Sequence, residues 1–119
     1  MRESTLWTLH LLTGCILAVV LGIHFGVMHL GGLFGIDRAG VLTFASVSTR
    51  SGMPFYLVVY LVLLAAALYH GLYGLRSIVL EVTVLGPVLQ KTISVILILG
   101  GLGFFAYGSL AIIFGFLGT

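Results

Sequence analysis

Four histidines hold most of the chemical potential of this sequence: His10, His24, His29 and His70. Each lies in a long apolar run. An ionisable side chain at bilayer depth is costly and is read as functional by default. Imidazole can ligate a metal there, or trade protons and hydrogen bonds. His70 is the sharpest case. It sits in Leu64-Ala65-Ala66-Ala67-Leu68-Tyr69-His70-Gly71-Leu72-Tyr73-Gly74, far from either end of its run. Zinc fits poorly, because no Cys/His/carboxylate cluster has the usual spacing. Haem fits better: it takes one axial imidazole from each side, and its flat macrocycle slots between helices. The plainer reading is that His24 and His70 hydrogen-bond neighbouring helices, and spacing alone leaves both open.

The elements that must position these residues follow from composition. Of 119 residues, 61% are hydrophobic and 7% charged, against about 25% charged in a soluble domain. So few charges cannot cover a soluble surface of this size, and lipid is the expected solvent. A net charge of +2 without basic clusters argues against nucleic acid as a partner. Cys15 stands alone in an apolar run, which leaves no disulfide or CxxC motif. The N-terminal run is too long for a signal core and lacks an Ala-x-Ala cleavage pattern, so it reads as a retained span.

Three apolar segments, at about 6–33, 54–79 and 92–117, each exceed the roughly 20 residues that cross a bilayer. Each must satisfy its own backbone in lipid, so each is expected to be an α-helix. The fold class is therefore all-α, a single three-span membrane domain over 1–119. Residues 34–52, with Asp37, Arg38, Arg50 and a Ser/Thr/Gly cluster, read as a connecting loop. Pro54 suits a first helical turn. Residues 81–91 read as a turn around the breakers Gly86 and Pro87. Three spans put the termini on opposite sides. Arg2, Arg76 and Lys91 on one side against Arg38 and Arg50 on the other favour a cytoplasmic N-terminus. Gly100, Gly101, Gly103 and Gly108 read as close-packing positions.

Helical geometry sorts the histidines. At about 100° per residue, Gly74, Ser77 and Glu81 share a stripe with His70, flanked by Ala66 and Ala67. Small neighbours there leave room for a large planar ligand. His10 and His24 nearly share a face with Gly14, Leu17, Leu21 and Met28. His29 points about 140° away from His24 and lies near the loop, as an interfacial residue would. Counted from the loop side, His24 lies about 14 Å deep and His70 about 26 Å deep. One metal cannot take both; two cofactors at two depths can.

These residues resemble a known family. Thr5-Leu6-Trp7, Thr13-Gly14, Gly22-Ile23-His24 and Met28 resemble one helix of the cytochrome b membrane anchors of succinate dehydrogenases and fumarate reductases. So does Met53-Pro54-x-Tyr56-Leu57-Val58 leading to His70-Gly71-Leu72-Tyr73-Gly74-Leu75-Arg76, with an acid, Glu81, eleven positions after the histidine. The likeness is greatest to the di-haem class, in the form with two separate anchor subunits.

The resemblance implies a subunit that is not catalytic alone. It would join a companion anchor, an iron–sulfur subunit and a flavoprotein in a bacterial or archaeal cytoplasmic membrane. It implies two b haems, each shared with the companion, and quinone as substrate. His70 would be the axial ligand of the haem nearer the iron–sulfur side, and His24 that of the other. Gly14 and Gly74 would line the haems, and Arg76 would reach a propionate. Glu81 and His10 would lie on the quinone side. Some relatives carry Arg before Ile-Thr-Gly in the first helix; here Leu11 stands there, so His10 is the substitute. The alternatives are a haem-free subunit of a transporter or assembly complex, or a cytochrome b of another electron-transfer complex.

Overall fold

The computed structural model describes residues 2–30, 35 and 38–118, apart from the side chains of 27–29, 38 and 41. The expectations placed on the Met28 and His29 side chains, Leu33 and Asp37 lie outside the described residues. Five helices run in order: α1 Glu3–Leu30, α2 Arg38–Val41, α3 Phe44–Ser51, α4 Pro54–Val82 and α5 Pro87–Leu117. No strand occurs among the described residues. α1, α4 and α5 are each long and apolar enough to cross a membrane. The all-α, three-span reading stands.

Boundaries differ from the sequence expectation for local reasons. α1 begins at Glu3 rather than near Leu6, because the Arg2 carbonyl already accepts from the amides of Thr5 and Leu6. An acidic residue in that first turn also suits the helix dipole. α4 runs three residues past 79, to Val82. α5 starts at Pro87 with Gly86 as its cap, not near Thr92. The Gly-Pro pair stops one helix and starts the next, because proline at the first helical position gives up only an amide that has no intrahelical partner. α5 closes on Gly118, whose φ of 74° is the left-handed cap conformation that glycine adopts without strain.

The expected loop at 34–52 is in part helical, which corrects that reading. Thr43 caps α3: its hydroxyl oxygen accepts from the Ser46 amide at 3.3 Å. Thr49 and Ser51 then bond back to the carbonyls of Ala45 and Val47. Serine and threonine usually compete with a helix; here they are absorbed into one. α3 packs against α4 and α5, with the Ser51 side chain facing Gly115.

α4 lies in the middle of the layer, packed against α1 on one side and α5 on the other. The result is a slab of 55 × 34 × 21 Å. Its surface of 8450 Å² compares with about 6,200 Å² for a compact protein of this mass. Ala66 is the one buried residue among the described residues. A layer this thin presents both broad faces to lipid or to other helices.

The α4–α5 seam is apolar and built on glycine. A Cβ on Gly101 would lie 2.5 Å from Leu72 Cδ1, and one on Gly108 would lie 2.8 Å from Leu64 Cδ2. Each leucine therefore seats in a notch that any side chain would fill. Gly100 and Gly103 have nothing within 4 Å and take no part in this seam. The sequence expectation of close packing holds within the chain for Gly101 and Gly108.

Candidate functional site: a stacked histidine pair

The α1–α4 seam holds the chemistry. His10 and His70 meet face to face, with ring centroids 4.1 Å apart and planes 3° from parallel. His70 Nδ1 lies 3.1 Å from the backbone carbonyl of His10. A carbonyl can only accept, so Nδ1 donates, and the neutral ring keeps its lone pair on Nε2. That carbonyl also accepts from the Thr13 hydroxyl at 3.0 Å.

Two glycines make the approach possible. A Cβ on Gly14 would stand 3.0 Å from His70 Cε1 and 3.3 Å from its Nδ1. A Cβ on Gly74 would stand 3.2 Å from His10 Cε1. Each glycine follows a histidine by four residues, one turn along the same face, and seats the opposing imidazole. The spacing His-x-x-x-Gly thus occurs twice, at His10/Gly14 and at His70/Gly74. That repetition is the signal for the pair in the sequence.

Aromatic rings enclose His10. Trp7 stands edge-on at 6.3 Å and Tyr73 tilts against it at 5.2 Å. Tyr73 in turn stacks on Tyr69, with centroids 5.7 Å apart. The two hydroxyls tie α4 to the start of α1: Tyr69 donates to the Leu6 carbonyl at 2.8 Å, and Tyr73 to Glu3 Oε1 at 3.2 Å. Sequence reasoning missed Trp7, Tyr69 and Tyr73 as site residues. His10 Nδ1 is buried and has no hydrogen-bond partner. A buried polar atom left this way costs free energy.

The other expected residues are not brought together with the pair. His24 is exposed and lies fourteen residues from His10, about 21 Å along α1. Since His10 is level with His70, this replaces the 12 Å depth difference expected from sequence. The count had started both helices from one level, whereas α3 folds against the ends of α4 and α5. Glu81 is exposed, about 16 Å along α4 from His70. Arg76 turns to α5: its Nε donates to Ser94 Oγ at 2.9 Å. Its Nη1 lies 3.7 Å from Glu3. No group of three or more metal-ligating side chains occurs among the described residues.

Gly74, one of the small residues expected to leave room beside His70, and Gly14 are both occupied. Each holds an imidazole, because the opposing histidine is the planar group that fits between the helices. The parallel faces also set a limit. Two imidazoles on opposite sides of one iron stand in line through it, so rings stacked at 4.1 Å cannot both ligate the same iron in that way.

A helical membrane layer with a histidine pair in its inner seam is the class that fold and site define. The family model of the succinate dehydrogenase/fumarate reductase transmembrane subunit matches residues 2–110, and the chain belongs to that family. It is similar to the succinate dehydrogenase hydrophobic membrane anchor subunit of Archaeoglobus fulgidus, 29% identical over 79 residues. The match takes in 66% of this chain and 62% of that relative, so less than two thirds of the relative's length is spanned. No solved structure matches the chain.

Proposed function

We propose that this chain is a haem b-bearing membrane anchor of a succinate:quinone oxidoreductase. In this reading it holds the flavoprotein and iron–sulfur subunits at the membrane, and electrons pass between the iron–sulfur subunit and quinone. One observation carries it: at bilayer depth, His70 is held by its Nδ1 on a backbone carbonyl, which frees Nε2 as a ligand nitrogen. Histidines that bind metal are commonly oriented through the other ring nitrogen in this way. The family match supports the same reading.

The residues present fit a haem in that respect. When bound, it supplies reversible one-electron transfer. The chain's own part is positional. Gly14 lets His70 reach the His10 carbonyl, and the His10 face fixes the plane of the His70 ring. In this reading the second histidine would come from another chain, the companion anchor, since His10 is stacked on His70. His24, exposed on α1, is the proposed ligand of a second haem, completed in the same manner. His10 and Glu81 are the residues proposed for the quinone side. The bacterial or archaeal cytoplasmic membrane, with the N-terminus inside, is the location this reading takes.

A second reading has an observation of its own. The glycine notches are filled by imidazoles, as in a haem-free seam that simply packs. The absorbance spectrum of the native complex separates the two. The proposal expects a bis-histidine b-type spectrum with two haems per flavin, and loss of one haem in His70→Ala. A colourless complex with full quinone activity overturns it.

A further inference from the structure

A cavity of about 580 Å³ runs between α4 and α5, bordered by Tyr69 and Tyr73 on the side of the histidine pair. It is lined from Ala65 to Arg76 on α4 and from Ser94 to Phe105 on α5, with Leu6 of α1 at one end. Twelve residues on each helix, eleven steps along its axis, give it a length of about 16 Å. That is about half of the roughly 30 Å hydrocarbon core of a bilayer, the depth of one leaflet. The walls are almost wholly apolar: Leu68, Leu72, Leu97, Ile98, Leu102 and Phe105.

The one cation of the lining is Arg76; the hydroxyls of Tyr69, Tyr73 and Ser94, which also line the groove, already donate to Leu6, Glu3 and Gln90. Arg76 lies six residues inside the end of α4, about 9 Å along the axis, where its arm reaches the headgroup level. Of its five N–H groups, only Nε makes a hydrogen bond, to Ser94. The contact with Glu3 is 3.7 Å, longer than a hydrogen bond, and that carboxylate is 69% exposed. Donors facing a low-dielectric groove require an acceptor, and a charged donor favours an anion.

We propose that this groove binds one anionic glycerophospholipid, with its phosphate on the Arg76 guanidinium, which Ser94 orients through Nε, and one acyl chain along Leu97 to Phe105. Charge, length and polarity agree on that occupant. A quinone would place a neutral ring beside the guanidinium. A helix of another subunit would leave the donors without an anion. The inference is independent of the histidine pair, and it stands or falls without reference to haem.

The test uses the native complex, stripped of lipid in mild detergent and returned to nanodiscs. Nanodiscs of dioleoyl phosphatidylglycerol, of dioleoyl phosphatidylcholine, and of the latter with inorganic phosphate are compared by native mass spectrometry. One tightly held phosphatidylglycerol per chain is expected, with retention lower by roughly tenfold in Arg76→Gln, the size of a lost charge-assisted hydrogen bond. Ile98→Trp, which fills the groove and keeps the cation, is expected to lower it as well. Lys91→Gln, a cation outside the groove, is expected to leave it unchanged. Equal retention of phosphatidylcholine, displacement by inorganic phosphate, co-purified quinone lost in Ile98→Trp, or full retention in Arg76→Gln would each overturn the proposal.

Discussion

α4 makes two seams, and they use one device for two ends. Toward α5, glycines receive leucine methyls, from Leu64 and Leu72. Toward α1, glycines receive imidazoles, from His10 and His70. A methyl in a notch gains dispersion contacts and little else. An imidazole in a notch costs desolvation, and it is retained only where its nitrogens find partners. One nitrogen has a carbonyl partner and another, His10 Nδ1, has none. The difference separates a seam that only packs from one that also carries ring nitrogens into the layer.

The largest test of that contrast is Gly14→Val. The added atoms meet a rigid ring rather than a flexible chain end, and overpacking of this kind costs about 1–3 kcal/mol. The bond from His70 to the His10 carbonyl, worth about 1 kcal/mol net, goes with it. A clear drop in the thermal midpoint of the complex is expected, together with loss of one haem from the spectrum. An unchanged midpoint would erase the distinction between the seams.

His24→Ala probes outside both. The side chain is exposed, so the thermal midpoint is expected to stay while the second haem is lost. If His29→Ala removes that haem and His24→Ala keeps it, the assignment of His24 is wrong. Tyr69→Phe removes the 2.8 Å bond to Leu6 and should cost about 1 kcal/mol, seen as a small fall in the midpoint. Gly108→Ala is the mildest. The clash is with the flexible end of Leu64, and alanine gains about 1 kcal/mol of helix propensity. The two offset, so a near-zero shift is expected; a loss as large as that of Gly14→Val would make the seams alike.

The three spans were legible because bilayer thickness and backbone satisfaction leave few options for such apolar runs. α3 was not, because its Ser/Thr-rich sequence reads as a loop unless Thr43 is recognised as a cap. His70 stood out in the sequence by its depth, and the structure places it in the α1–α4 seam. Its neighbour was not found: periodicity on one helix says which residues share a face, but not which level of another helix lies opposite. Pairing His10 with His70 needed the offset between α1 and α4, which the residues between them set. The repeated His-x-x-x-Gly was the part of that pairing written in the sequence itself.

The sixty-residue separation between His10 and His70 has a consequence in time. Ribosomes add about 5–20 residues per second, so α1 is made roughly 3–12 seconds before its partner on α4. For that interval the Gly14 notch has no imidazole in it, and the seam cannot form. A chaperone or another helix that fills the notch first would compete with α4 for the same surface. Correct assembly of this layer is therefore a race that begins during synthesis, with the notch as its finishing line.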